Sequence, residues 1–293
     1  MKDHLENAVE LIKVTITKWQ EDNVSRLAAA VAYFAILSIP PILVLTVTIA
    51  GQLIGTQDAR QTIINQSSRV LGQQGQAAIQ TIMQAVSQPQ GFSLATILSF
   101  GVLLFSASGV FVQLQGAMNT IFGVEPDSDG AVSSTLKKRI LSFLIVIGLG
   151  LLLTAIMLVN SIVALLGQTL ASFLPGSSVW IQVLNFAVSF LFLIGLIGLI
   201  YKEIPDIDVS WHDVGIGALV TSVLFMIGIV AISTFLRYGD PTSSYGAAGS
   251  VIVLLIWIYY SAQILFVGAE FTQAYANQYG NMMSPDKSSV WAT

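Results

Sequence analysis

The chain has 293 residues, 54% of them hydrophobic and only 10% charged, with a net charge of −4 and no cysteine. Soluble domains carry about 25% charged residues, so most of this surface does not face water, and the acidic balance argues against a nucleic-acid partner. Without cysteine there is no disulfide, thiol nucleophile or thiolate zinc site, and two histidines, His4 and His212, do not make an imidazole-rich metal centre, so no metal and no cofactor is expected.

The N-terminal stretch carries Asp3, Glu6 and Glu10 among its apolar residues, a pattern foreign to a cleaved secretory leader. Over residues 5–20, Leu5, Ala8, Ile12, Ile16 and Trp19 recur at helical spacing, with Glu6, Glu10, Lys13 and Lys18 off that stripe. The spacing predicts an amphipathic interfacial helix, packed on the cytoplasmic face of a bundle or offered to lipids or a partner. Six apolar runs follow, at about 27–55, 92–114, 139–167, 179–201, 213–236 and 247–274, each bounded by charge or by Gly, Pro and Ser. Roughly 20 apolar residues suffice to cross a bilayer as a helix, and a β-barrel would show short alternating segments instead. The expected fold class is therefore all-α: a single polytopic membrane domain over 1–293 with six transmembrane helices. The connection 56–91 predicts one or two short helices forming an extracytoplasmic cap, because an unstructured loop of that length is uncommon.

Orientation follows from Lys and Arg counts in the connections. One side holds nine, namely Lys2, Lys13, Lys18, Arg26, Lys137, Lys138, Arg139, Lys202 and Lys287. The other holds three, Arg60, Arg69 and Arg237. Both termini, 1–26 and 275–293, are thus expected in the cytoplasm.

Candidate functional residues gather at two places. Pro40–Pro41 lies within the first run and removes the N–H partners of the Ile36 and Leu37 carbonyls. Either the helix breaks there and exposes acceptors beside Tyr33 and Ser38, or it merely kinks. In the last run, Tyr259, Gln263 and Glu270 share one helical face. An ionisable residue in such a segment is by default a functional candidate. Glu270 is free to snorkel, to pair with Arg26 at the inner end of the first run, or to protonate. The amides Gln113, Asn119, Asn160, Gln182 and Asn185 read mostly as interhelical hydrogen-bond partners, and Gly51 with Gly55 as a close-packing pair. The charged turn from Tyr201 and Lys202 through Pro205 to Trp211, His212 and Asp213 reads as an interfacial anchor or, alternatively, a gate. Glu125, Asp127 and Asp129 alternate in a solvated loop and lack the rest of a calcium loop. No P-loop, nucleophile elbow or zinc-protease motif is present in the sequence.

Four blocks, AAAVAYFAILSIPPIL (28–43), LQGAMNTIF (114–122), YKEIPDIDVSWHDVGIGAL (201–219) and YGAAGSVIVLLIWIYYSAQILFVGAE (245–270), resemble the signature blocks of the YihY/BrkB family of bacterial inner-membrane proteins. The resemblance places Tyr33, Ser38, Pro40, Asn119, Pro205, Trp211, Gly217, Tyr245, Gly246, Gly249, Trp257, Tyr260, Gly268, Ala269 and Glu270 on family motif positions. Pro41 and His212 depart from it, where an apolar and a basic residue are expected, and His212 weakens any cationic contact at that turn. By resemblance the chain is a multi-pass inner-membrane protein linked to envelope integrity and serum resistance. A transfer-RNA ribonuclease label carried by the family is regarded as mistaken, and the chain is not expected to be an enzyme.

Three functions follow. A transporter or flippase for an envelope lipid or small solute would use a polar pathway near the first and last helices, although no inverted repeat is evident. A non-transporting envelope scaffold would bury the same polar residues as helix–helix glue. An enzyme ranks last, for want of a nucleophile–base pair. The expected partners are membrane lipids, an unidentified lipid or small-molecule substrate and a second copy of the chain.

Overall fold

The computed structural model describes residues 2–85, 109–124, 177–239, 249–280 and 284–285. The expected span at 139–167, most of the one at 92–114, and Tyr245 and Gly246 lie outside these residues.

The described chain is helical, as its composition predicts. In order come α1 (Lys2–Glu21), α2 (Val24–Ile54), α3 (Thr56–Ala85), α4 (Ser177–Glu203), α5 (Trp211–Gly239) and α6 (Gly249–Tyr279), with a further helical segment at 109–121. Two short strands, β1 (Ile207–Asp208) and β2 (Ser284–Pro285), pair antiparallel. Three stretches are long and apolar enough to cross a membrane: Phe186–Glu203, Trp211–Phe235 and Val251–Tyr279. They coincide with the last three apolar runs. A fourth arises if α1 and the first part of α2, bent by 62° at their break, count together. Leu191, Ile227, Val230 and Phe235 are more than half exposed, which suits a surface solvated by lipid.

Each join between the first helices has a residue-level cause. Asn23 sits in the left-handed region at φ 52, which Asn tolerates better than most side chains. Its amide donates back to the Glu21 carbonyl at 3.1 Å, closing α1 before α2 begins. Gly55 takes φ 90, ψ 141 and donates to the Gly51 carbonyl. A Cβ at Gly51 would stand 3.2 Å from the Thr56 Cα. Gly51 and Gly55 therefore build the corner between α2 and α3.

Two expectations are corrected here. The first helix is not broken at Pro40–Pro41, for α2 runs 31 residues through both prolines. The missing N–H groups touch only two rungs, and bonded turns on either side hold the helix; prolines are tolerated in this way inside membrane helices. The connection after residue 55 is one long helix of 30 residues, α3, in place of the one or two short helices expected. Its Ala78, Ile79 and Met83 form a core with Leu254 of α6, joined by Ile39, Leu43 and Val47 of α2, and this apolar contact sustains a single helix.

The chain divides into two compact units. One comprises Met1–Thr15, Met118–Val223 and Gly268–Thr293; the other comprises Ile16–Ala117 and Leu224–Val267.

Candidate functional site

In the first unit, the α4–α5 turn is organised by Asn119 and Lys202. Segment 109–121 ends at Gly123, whose φ is 70, with Val124 N–H bonded to the Asn119 carbonyl and Gly123 N–H to that of Thr120. This glycine-terminated cap holds Asn119 in the last turn. From there its amide donates to Asp206 Oδ2 at 2.8 Å, and its Oδ1 accepts from the Asp206 N–H at 2.8 Å. Lys202 Nζ donates to the Val209 carbonyl at 2.7 Å, forms an ion pair with Asp208 and lies 5.8 Å from the Trp211 ring centre. Pro205 is buried. Trp211 is 59% exposed, which suits an interfacial anchor. His212 is exposed, with Nδ1 3.2 Å from Asp213, whose side chain is buried.

Deeper in the same unit, α4, α5 and α6 meet around Tyr201, which is fully buried. Its hydroxyl lies 2.9 Å from Thr221 Oγ1. Thr221 already gives its proton to the Gly217 carbonyl at 2.7 Å, so Tyr201 is the donor. The reading of Tyr201 as an interfacial residue is thereby corrected: its hydroxyl is used inside the fold. Gly217 faces Thr272, and Gly268 faces Thr221; an added Cβ would stand 2.8 Å from the facing Thr Cβ in both cases. Thr272 donates to the Gly268 carbonyl at 2.7 Å, as Thr221 does to Gly217. The result is a reciprocal antiparallel crossing, a Gly-x-x-x-Thr on each helix seating the other's threonine. Sequence reasoning placed Gly217 and Gly268 on motif positions but missed Thr221 and Thr272. The signal was the identical Gly-x-x-x-Thr spacing in α5 and α6.

Glu270, between Gly268 and Thr272, is fully buried. At about 100° per residue it leaves α6 on the side away from the α5 crossing. Gln273 shares that side, and its amide lies 3.8 Å from where a Cβ on Gly123 would sit. Glu270 thus belongs to the side of α6 that Gln273 directs toward the end of segment 109–121.

In the second unit, the Tyr259–Gln263 part of the expected polar stripe has a partner. Trp19 Nε1 donates to Gln263 Oε1 at 3.0 Å, and Gln263 Nε2 donates to Tyr259 OH at 2.8 Å. Trp19 was read only as part of an apolar stripe; its indole N–H was the overlooked signal. Ser38 is buried and donates to the Phe34 carbonyl at 2.9 Å. Tyr33 is 57% exposed and meets Phe34 edge-on. Arg26 is exposed and Pro40 half-buried. Gly249 is buried. Trp257 and Tyr260 pack on a core of Ile232 and Val253.

A family profile described as Virulence factor BrkB matches residues 15–290. A UPF0761 membrane protein of Alcanivorax borkumensis is 24% identical over 88% of this chain and 58% of its own length. Another, from Psychrobacter sp. (strain PRwf-1), is 27% identical over 89% and 47% respectively. The ribonuclease-like protein YfkH of Bacillus subtilis is 26% identical over 83% of this chain and 86% of its own. The chain therefore spans about half the length of the two UPF0761 relatives. No solved structure matches.

Proposed function

The chain belongs to the BrkB family of membrane proteins, and on that footing we propose that it carries an envelope lipid or small solute across the bacterial inner membrane, with both termini cytoplasmic. The observation behind this reading is Glu270, a carboxylate held fully buried in a helix long and apolar enough to cross the bilayer. Burying an ionisable group in a membrane span is expensive and is characteristic of substrate or ion pathways. Gln263 and Tyr259, bonded to each other, are further polar groups two and three turns earlier in the same helix. With α2 continuous through Pro40–Pro41, the proposed pathway rests on α6 and not on an opened first helix. The ribonuclease-like wording of the Bacillus relative is not extended to this chain, and we propose no enzymatic activity.

A scaffold for the envelope is the second reading. It is favoured by the internal hydrogen bonding of Tyr201, Thr221, Thr272 and Gln263.

Because cysteine is absent, single cysteines along 256–270 test the two readings. Labelling by a membrane-impermeant thiol reagent is expected deep in this segment, with different positions reached in intact and in inverted membranes. Glu270→Gln is expected to abolish that side dependence while the protein stays folded. Protection at every position, with Glu270→Gln lowering only stability, overturns the carrier reading in favour of the scaffold.

A further inference from the structure

Helix α1 carries an apolar sector wider than the fold uses. Leu11 and Thr15, 7% and 6% exposed, mark the side packed on the protein. At about 100° per residue, Ile12 and Ile16 lie a quarter-turn away, with Val9 beyond them. These three are 55%, 53% and 49% exposed. The charged residues Glu6, Glu10, Lys13, Lys18 and Glu21 occupy the opposite half, where Lys18 pairs with Glu21 at 3.2 Å. Of the expected stripe, Trp19 bonds to Gln263, while Ile12 and Ile16 remain more than half exposed.

We infer that this flank is seated in the acyl region of the membrane leaflet that α2 enters, and that apolar burial alone holds it there. Three observations commit the occupant to lipid. The helix joins α2 through only Asp22 and Asn23 and turns by 62° at that break, so it does not continue the line of α2. On α2 too, large side chains such as Tyr33 and Leu37 are exposed, at 57% and 43%. The charge pattern offers no alternative grip: α1 holds Lys2, Lys13 and Lys18 against Asp3, Glu6, Glu10 and Glu21. Helices that bind anionic headgroups are rich in Lys and Arg on the polar face, and this one is not. Val9, Ile12 and Ile16 thus contribute by leaving water, an effect indifferent to headgroup charge and salt.

The test uses the full chain in lipid nanodiscs, with single bimane-labelled cysteines replacing Val9, Ile12 or Ile16 on the flank and Glu10, Lys13 or Thr17 on the polar side. All six positions are exposed, so labelling does not threaten the fold. Quenching by bromine-labelled phosphatidylcholine chains is expected to be severalfold stronger at the flank than at the polar side. Aqueous iodide is expected to show the reverse order, and neither pattern should change when phosphatidylglycerol or salt is added. Equal iodide quenching on both sides overturns the inference, because the flank then faces water. Protection from both quenchers also overturns it, because a protein surface such as a second copy then covers the flank. Lipid contact that appears only with phosphatidylglycerol overturns seating by apolar burial. None of these outcomes depends on whether the chain transports anything.

Discussion

At the scale of single residues, the α5–α6 crossing shows why glycines alike in sequence are unlike in consequence. A Cβ at Gly217 would stand 2.8 Å from Thr272 Cβ, closer than real carbon contacts allow. At Gly198 an added Cβ would rest 3.7 Å from Val214 and 3.8 Å from Ala218, ordinary contact distances. Gly217→Ala therefore forces two helices apart and is expected to cost about 1–3 kcal/mol, the range for overpacking a close-fitted core. Gly198→Ala meets no obstacle and is expected to stabilise by roughly 0.5–1 kcal/mol through helix propensity alone. Thermal unfolding of the two variants in detergent checks the contrast; two equal losses would mean that the crossing is looser than described. Adding Thr272→Gly to Gly217→Ala is expected to recover part of the loss, since it removes the Cβ the new methyl would strike. The same geometry explains why the crossing was only half legible in the sequence. Glycine at a helix interior signals close approach, but the neighbour it admits sits some 50 residues away along the chain, beyond any local pattern.

At the scale of elements, the apolar runs gave the helices and side-chain hydrogen bonds gave their attachments. Runs near 179–201, 213–236 and 247–274 became α4, α5 and α6 because periodicity and length are local properties that burial in lipid rewards directly. Pro40–Pro41 leaves both a break and a kink open in the sequence, because the proline effect is local too. The outcome depends instead on bonded turns flanking it, and α2 stayed whole. Tyr259, Gln263 and Glu270 were legible as one face, whereas the link from α1 to Gln263 was not. An indole N–H looks like apolar bulk until the fold brings an acceptor 3.0 Å away. That link makes a definite prediction. Trp19→Phe keeps the ring but removes the donor, and Gln263→Leu removes the acceptor. Interhelical polar pairs in membranes are worth about 0.6 kcal/mol on average and up to about 1.7. A double-mutant cycle on the pair is expected to show a coupling in that range, read from unfolding midpoints. A coupling of zero would indicate that the Trp19–Gln263 bond does not help to hold α1. The α4–α5 turn makes a second one. Asn119 engages both the side chain and the backbone N–H of Asp206, so Asn119→Ala leaves two groups to be met by water. A loss of about 1–2 kcal/mol is expected at this accessible edge. Asn119→Asp keeps one acceptor for the N–H but sets two carboxylates face to face, so it should do no better than alanine.

At the scale of the whole molecule, membrane character was evident from a charged fraction of 10%, whereas the arrangement of the spans across the bilayer depends on charge asymmetry. From nine Lys and Arg residues on one set of connections against three on the other, the expectation is that Lys13 and Glu203 lie in the cytoplasm and Gln57, at the start of α3, outside. Each is a surface position: Lys13 and Glu203 are exposed, and Gln57 lies exposed beside the Gly55 corner. Lys13→Cys and Glu203→Cys are expected to react with an impermeant thiol reagent only in inverted membranes, and Gln57→Cys only in intact cells. The Gln57 position decides most. If it reacts from the same side as Lys13, α2 does not cross, and α2 with α3 forms a hairpin that enters and leaves on one face. The Ile39–Leu43–Val47 contact with α3 would then lie within one leaflet, and the charge asymmetry would need recounting, because Arg60 and Arg69 would change sides. If it reacts from the opposite side, α2 is a complete span despite Pro40–Pro41, and the Gly51–Gly55 corner is the point where the chain turns back on the far surface.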